Sequence, residues 1–126
     1  MQLEGLAEAH GMVAAEPGLF TIDADHVLDL TPLAMCLADI DDAGRGAALF
    51  HAVLIEALAE WVDAAARRAG LATVACGGGC FLNAILARGL RSALTRRGIA
   101  MLEASAVPPN DGGLALGQAA VARYLC

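Results

Sequence analysis

The sequence predicts an α/β fold built from several helices and one βαβ unit. Apolar residues recur with helical periodicity through residues 45–69 and again through 81–97. Two short uncharged segments, 71–76 and 99–102, flank the second of these helices and have the length of strands. The 126 residues, 58% hydrophobic and 17% charged, suffice for the core of one compact domain and argue against intrinsic disorder.

A short helix and a hairpin are predicted at the start of the chain. Residues 2–15 carry apolar side chains at loosely helical spacing, and the Pro-Gly pair at 17–18 is expected to end that helix. Residues 20–30 then alternate apolar and polar side chains on both sides of an Asp-Ala-Asp turn. This alternation predicts a small antiparallel hairpin.

Two helices are predicted next. Thr31 is expected to cap a helix that has Pro32 at its first position and ends near residue 40. The longest helix covers residues 45–69, with arginines in its last turn and Gly70 as its left-handed stop. Its apolar residues predict one continuous buried face: Phe50, Val53, Leu54, Ala57, Leu58, Trp61, Val62 and Ala65.

The βαβ unit occupies the middle of the sequence. The strand 71–76 runs directly into three glycines, a leucine repeats every fourth residue through 81–97, and Gly98 ends this helix before the second strand. The two strands are expected to be parallel. Residues 69–87 carry no charge, but the glycine triplet interrupts them, which favours strand, loop and helix over a membrane span. A last helix is predicted over 113–125.

Composition excludes several classes of protein. The chain has 29 alanines and 19 leucines, which favours helices packed closely through small side chains. All eight basic residues are arginines, so the lysine of a P-loop is absent. The net charge is −6, and residues 1–44 alone carry −9, which makes nucleic acid a poor partner. No basic signal region opens the sequence, so we expect a cytoplasmic protein whose cysteines are thiols.

Two glycine-rich segments are the candidate binding elements. Gly77, Gly78 and Gly79 lie where a βαβ unit turns from strand to helix, so the triplet is either an anion site or a plain tight turn. Gly112 and Gly113 precede the last helix in the same way. Two helix N-termini facing one crevice would hold a nucleotide between them. The alternative for the neighbouring Asp111 is an ordinary helix cap.

A dinucleotide-binding fingerprint is a rival reading of the first segment. Gly77, Gly79 and Glu103 satisfy part of it, but Leu82 stands where a small residue must let the helix approach the strand. The fingerprint therefore fails at the position that sets packing.

Histidines and cysteines offer weaker candidates. His10, His26 and His51 are too far apart for a self-contained metal site, and His51 fits a hydrogen-bonded core histidine. Cys76 and Cys80 flank the glycines and are predicted to be buried thiols rather than ligands.

Two motifs resemble those of a known family. VACGGGCFLN (74–83) and VPPNDGGLALGQA (107–119) are similar to the LSGGxFxN and PxNDGGxALGQ motifs in the Kae1-like domain of HypF, the carbamoyltransferases of [NiFe]-hydrogenase maturation. LEGLAEAHG, FTID with VLD, and LFHAVLIEALAE extend the resemblance over nearly the whole chain. It identifies residues 1–126 as the C-terminal part of that domain, and so as a partial domain.

The resemblance implies the second half of an actin-like (ASKHA) ATPase fold. It also implies use of ATP and carbamoyl phosphate to form carbamoyl-adenylate, whose carbamoyl group passes to the C-terminal cysteine of a HypE-like acceptor. Carried over by position, Gly78, Gly79 and Asn83 would contact the nucleotide, and Asp111 would bind a divalent metal ion of unspecified identity. With the glycines named above, the predicted nucleotide site is Gly77, Gly78, Gly79, Asn83, Gly112 and Gly113.

Departures from the family motif support an alternative function. Gly77 replaces the family serine and Cys76 its leucine, which removes a hydroxyl contact. The family's metal-binding histidine pair, first nucleotide subdomain and other domains precede the region that resembles this chain. The alternative is a non-catalytic nucleotide-binding or docking module. If the chain is part of a domain, the face that packs on the missing half is exposed and apolar, so we expect the isolated chain to self-associate or aggregate.

Overall fold

A computed structural model describes residues 2–104, 106–108 and 110–125. Within these residues the chain forms five α-helices and two separate two-stranded sheets. The order is α1 (Gln2–His10), β1 (Thr21–Ile22), β2 (Leu28–Asp29), α2 (Thr31–Ala38), α3 (Ala43–Ala69), β3 (Thr73–Cys76), α4 (Ala84–Arg96), β4 (Ala100–Glu103) and α5 (Leu114–Leu125).

Helix α3 is the centre of the molecule. It begins at Asp42, whose side chain accepts the N–H groups of Gly44 and Arg45, and it ends at Gly70 with φ 67°. Helices α1, α2 and α4 all pack against it. Most of the predicted apolar face is buried or half-buried, with Trp61 and Ala65 exposed. Contact on several sides also buries residues outside that face, among them Leu49, His51 and Ala59.

The first helix and the hairpin lie where they were predicted, with different ends. Helix α1 stops at His10, because Gly11 takes φ 95° and its N–H bonds the Ala7 carbonyl, well before the predicted stop at Pro17. Strands β1 and β2 pair antiparallel, which confirms the hairpin.

The start of α2 differs by one residue from the prediction. Thr31 is helical rather than the cap, Leu30 stands at the cap position, and the Asp29 carboxylate accepts the Thr31 N–H at 2.8 Å. A carboxylate two residues upstream thus replaces the predicted hydroxyl cap.

The βαβ unit is confirmed. Strands β3 and β4 are parallel, with Thr73 opposite Ala100 and Cys76 opposite Glu103. Gly98, at φ 79°, follows the end of α4 as predicted. The helix begins only at Ala84, because a 3-10 turn over Gly79–Leu82 separates it from the glycines. The uncharged stretch 69–87 is thus divided among helix end, strand, turn and helix start.

The core is rich in alanine. One cluster joins α3 and α4 to the sheet, and two more join α1, α2 and the hairpin region to α3. Alanine is the commonest buried residue type, which confirms packing through small side chains. Among the residues described, no helix is both long and apolar enough to cross a bilayer.

Two surfaces remain outside this core. Thr73, Ala75, Ala100 and Leu102 form an exposed sheet face on the side away from α4. Helix α5 buries none of its residues and exposes Leu114, Leu116, Val121, Tyr124 and Leu125. We call these two surfaces the open sheet face and the α5 surface.

Candidate functional site

Both glycine-rich segments line one cleft. Its volume is about 820 Å³, within the range of small-molecule sites, and it opens between the end of the β3–β4 sheet and α5. The expectation that the two segments meet across a single crevice is confirmed. The lining residues are Gly77, Gly78, Ala104, Val107, Pro108, Asn110, Asp111, Gly113, Leu114, Gly117, Gln118, Val121, Ala122 and Leu125.

The first segment turns sharply after strand β3. Cys76 ends the strand and Gly78 takes φ 100°, a conformation that a side chain would strain. Gly77 and Gly78 border the cleft, whereas Gly79 opens the 3-10 turn and does not. The glycines thus bring bare backbone to the carboxyl end of the parallel strands, where ligands of open α/β sheets bind.

Two N–H groups at the start of α4 already have protein partners. Asn83 caps it, accepting the Leu86 N–H at 3.0 Å through Oδ1. The carboxylate of Glu4, from α1, accepts the Ala84 N–H at 2.6 Å. That hydrogen bond holds the pKa of Glu4 below its usual value. A protein carboxylate from the other end of the chain thus occupies the positive end of the helix, so an anion at the glycine segment would contact the glycine backbone rather than the Ala84 N–H.

Asn83 also contacts the central helix. Its Nδ2 lies 2.8 Å from Nε2 of His51, and Nδ1 of His51 lies 2.7 Å from the Ala47 carbonyl. His51 is 2% exposed and Asn83 8%. His51 is therefore a hydrogen-bonded core histidine, as predicted.

The second segment is shaped by Asn110 and Gly113. The Asn110 side chain accepts the Gly112 N–H at 3.0 Å, and its carbonyl accepts the Gly113 N–H at 2.9 Å. A Cβ on Gly113 would lie 2.8 Å from the backbone carbonyl of Pro108, so only glycine fits this close approach. Asn110 is the cap, and Asp111 follows with an exposed side chain beside the cleft.

The cleft brings together part of the predicted site. Gly77, Gly78 and Gly113 of the proposed nucleotide contacts line it, as does Asp111. Gly79 and Gly112 are each adjacent in sequence to a lining residue, but neither they nor Asn83 line the cleft. Their assignment as nucleotide contacts stays a prediction.

Asp111 could bind a metal ion only if most of the other ligands came from a bound molecule, from water or from another part of the protein. Among the described residues, no group of three or more His, Cys, Asp or Glu side chains could hold a metal ion. Mg²⁺ is commonly held by one or two carboxylates together with phosphate oxygens and water. One exposed carboxylate at a cleft therefore fits a metal ion that arrives with a phosphorylated ligand.

The thiols at the glycine segment differ from the prediction. Cys80 is exposed and Cys76 only half-buried, although Cys76 and the neighbouring Phe81 pack against the core cluster of α3, α4 and the sheet. Burial, and then the nearby Glu103 carboxylate, raise the pKa of Cys76. Glu103 bonds Arg91 of α4, so it points away from the cleft.

Sequence reasoning missed two contributors to the site. Glu4 lies 80 residues from its partner, and no local pattern signals that contact. The sequence predicted α5 as a helix, but its role in lining the cleft depends on where the helix lies relative to the end of the β3–β4 sheet.

Comparison with known proteins gives consistent matches. Residues 1–118 match the family described as "Carbamoyltransferase, Kae1-like Domain, second subdomain". The chain is 52% identical over 108 residues to carbamoyltransferase HypF2 of Cupriavidus necator, covering 86% of this chain and 13% of that protein. It is 47% identical over 129 residues to a HypF homolog of the same organism, covering 95% and 33%.

A third relative and two solved structures agree. Carbamoyltransferase HypF of Rhizobium leguminosarum is 42% identical over 127 residues, covering 99% of this chain and 16% of the relative. Full-length HypF in a phosphate- and nucleotide-bound form superposes with TM-score 0.73 at 27% identity, over 98% of this chain and 17% of that one. HypF of T. kodakarensis superposes with TM-score 0.75 at 22% identity, over 99% and 16%. These likenesses confirm the predicted α/β fold of the actin-like class.

Proposed function

We propose a function on the basis that this chain belongs to the HypF carbamoyltransferase family, as the second subdomain of its Kae1-like domain. The chain supplies one side of an ATP site in which carbamoyl-adenylate forms from ATP and a carbamoyl phosphate-derived substrate. The carbamoyl group then passes to the C-terminal cysteine of a HypE-like acceptor. The chain spans 13% to 33% of the length of the relatives above, so the rest of the machinery lies outside it.

The observation that carries this proposal is the shared cleft. Two glycine-rich segments that lie far apart in sequence border one space of about 820 Å³. A solved relative of the same fold is described as phosphate- and nucleotide-bound, which supports a nucleotide as the ligand. The cleft also combines an apolar wall for a base with a carboxylate for a cation.

Each part of the cleft has a separate task in this proposal. The backbone at Gly77 and Gly78 approaches the phosphates, because no side chain stands between them and the ligand. Val121, Ala122 and Leu125 of α5 cover apolar parts of the nucleotide. Asp111 holds the divalent cation, which when bound neutralises phosphate charge.

The missing side of the site is the first subdomain. The open sheet face and the α5 surface are apolar and exposed, whereas parallel sheets are normally covered on both faces. We assign the open sheet face, together with Leu116 and Tyr124 of the α5 surface, which do not line the cleft, to contact with the front half of the domain. Since ATP, carbamoyl phosphate and HypE-like acceptors are used in the cytoplasm, we place the protein there, with neither membrane nor nucleic acid as a partner.

Carbamoyl transfer to the acceptor is a thiol acylation. The acceptor cysteine loses its proton to solvent, and the thiolate sulfur attacks the carbonyl carbon of carbamoyl-adenylate. A C–S bond forms, and AMP leaves with the electrons of the broken C–O bond. The described residues of this chain contribute binding and orientation to that step, and the acceptor contributes the nucleophile.

The test of activity is carbamoyl phosphate-dependent exchange between ATP and pyrophosphate. It is measured with the chain alone and with the chain plus a front-half polypeptide of a HypF relative. Exchange only in the mixture supports the proposed function. Exchange in neither supports the alternative, a non-catalytic nucleotide-binding or docking module, which the loss of the family serine at Gly77 favours.

The binding site itself is tested by titrating ATP, with Mg²⁺, into Asp111→Ala and Asn83→Ala. We expect each to weaken binding about tenfold or more, since each removes a charged or cap-linked contact. Asp25→Ala is the control, because this exposed acid in the hairpin does not line the cleft. Unchanged affinity in both site variants would remove the assignment.

A further inference from the structure

His51 is a buried titratable residue that the proposed function does not use. It lies in the first half of α3 and is 2% exposed, and its two ring nitrogens each face one polar atom. Burying a polar ring is unfavourable unless both nitrogens are bonded. A leucine would fill the space without that requirement, so the identity of the residue calls for an explanation.

The hydrogen-bond partners determine the form of the ring. The Ala47 carbonyl only accepts, so Nδ1 of His51 carries the hydrogen and donates it at 2.7 Å. The neutral ring then has an acceptor at Nε2, which faces Nδ2 of Asn83 at 2.8 Å. Asn83 must donate there, because an amide nitrogen cannot accept.

The same logic determines the orientation of the Asn83 amide. Its Oδ1 accepts the Leu86 N–H at 3.0 Å, and its Nδ2 donates to His51. A rotation of the amide by half a turn would set donor against donor at Leu86 and acceptor against acceptor at His51. Only one orientation of the Asn83 amide therefore satisfies both Oδ1 and Nδ2.

We propose that His51 is a positioning residue that fixes the carboxamide of Asn83, so that its second Nδ2 hydrogen is presented in one direction at the start of α4. The first Nδ2 hydrogen is used by His51, and Oδ1 is used by the helix cap. The second hydrogen is the remaining donor. That it meets a nucleotide rests on the proposed function.

Two substitutions of His51 test the hydrogen bonds of its two ring nitrogens separately. Glutamine reaches about as far as Nε2 of histidine, so the Oε1 atom in His51→Gln can still accept from Asn83. Asparagine reaches about as far as Nδ1, so His51→Asn keeps a donor for the Ala47 carbonyl but loses the acceptor. Both replacements are polar and smaller than the ring, and asparagine is one methylene smaller than glutamine, so a control for the larger core defect is needed.

The first readout is amide hydrogen exchange of Leu86 relative to Leu90, further along α4, in the full 126-residue chain. In His51→Asn we expect Leu86 exchange to rise about 3- to 10-fold against Leu90, as one neutral hydrogen bond implies. In His51→Gln the ratio stays near wild type. Equal ratios in the two variants, or an unchanged ratio in His51→Asn, would overturn the positioning role.

Val53→Ala separates positioning from general loss of stability. Val53 is fully buried on the same helix and packs in a different cluster, with Leu33 and Leu49. Its truncation lowers stability and leaves the Leu86 ratio unchanged. A change in that ratio as large as in His51→Asn would also count against the proposal.

The second readout is affinity for ATP with Mg²⁺, measured on the chain mixed with the front-half polypeptide of a HypF relative. We expect His51→Asn to bind about 3- to 10-fold more weakly than wild type and His51→Gln to retain most of the affinity. If wild type binds no ATP, the proposed function fails, while the Leu86 ratio still decides whether His51 orients Asn83. If wild type binds and both variants bind equally well, the positioning role in binding fails alone.

Discussion

At the scale of single residues, the start of α4 is determined by two side chains from other helices. Glu4 of α1 bonds the Ala84 N–H, and His51 of α3 holds the Asn83 amide that caps the helix. The Glu4 carboxylate and Oδ1 of Asn83 thereby accept N–H groups that have no partner within the helix. The turn after the glycines is therefore anchored to the main body of the protein on two sides.

Glu4 makes the stability depend on pH in the acid range. Hydrogen bonding to the Ala84 N–H lowers its folded-state pKa, so its contribution is present above the unfolded-state pKa and is lost as pH falls through the folded-state pKa. We expect urea unfolding to show a smaller loss of stability below about pH 4 in Glu4→Gln than in wild type.

Other carboxylates also contribute to acid unfolding, so the comparison needs a matched variant. Asp29 and Asp42 have lowered pKa values through hydrogen bonds, with Thr31 and with the Arg45 N–H respectively, and they remain in both proteins. Glu8→Gln changes the same helix at an exposed carboxylate 4.0 Å from Arg88. If both substitutions reduce the loss of stability at acid pH equally, a specific role of Glu4 is contradicted.

At the scale of elements, the crossing of α3 and α4 depends on Gly89. A Cβ at this position would lie 2.2 Å from Cδ1 and 3.0 Å from Cγ1 of Ile55. The helix tolerates glycine here, at a cost of about 1 kcal/mol relative to alanine, because the two helices approach so closely. Ile55 also borders a cavity of about 590 Å³, into which it can turn if displaced.

We expect Gly89→Ala to lower the free energy of unfolding by about 1 kcal/mol, since overpacking outweighs the gain in helix propensity. In an Ile55→Ala background the same substitution should be neutral or stabilising, because the obstructing atoms are gone. Denaturant unfolding of the four proteins gives the coupling energy, which should be about 1 kcal/mol or more.

Gly5 provides the control for helix propensity. It lies in α1, and nothing stands within 4 Å of the position of its Cβ. Gly5→Ala should therefore stabilise the protein modestly. A gain in Gly89→Ala as large as in Gly5→Ala would show that the α3–α4 crossing adapts without strain.

At the scale of the whole molecule, the described part of the chain has an incomplete outer layer. The α5 surface and the open sheet face are exposed, and the chain covers at most 33% of the curated relatives above. Apolar surface of this kind normally marks a contact with another protein surface. The stability and the solution state of the isolated chain should therefore differ from those of the complete domain.

We expect the chain to self-associate at micromolar concentrations through the α5 surface, and Val121→Glu to shift it toward monomer by placing a charge there. Sedimentation equilibrium measures the change. Val27→Glu is the matched control, since Val27 and Val121 are both 58% exposed and Val27 lies on the hairpin. Monomeric wild-type protein, or an equal effect of both variants, would contradict this expectation.

Much of the fold was accessible from local patterns. The hairpin, the long helix with its Gly70 stop and the parallel βαβ unit were all predicted, because turns, caps and periodicity depend on neighbouring residues. The glycine segments were also identified as a pair, and they do share a cleft. Errors fell at helix starts, where one carboxylate or one extra turn moves the boundary.

The chemistry of the site is divided in the same way. The local sequence pattern was enough to place the glycines at the end of a strand and Asp111 before the last helix, since both positions follow from turn residues. Local patterns could not identify the partners of Asn83 and Ala84, which are His51 and Glu4. These lie 32 and 80 residues away and meet them only when α1, α3 and α4 pack together. Which N–H groups stay open to a ligand is thus a property of the packed molecule, since burial leaves a polar group with whatever partner the neighbouring helices supply.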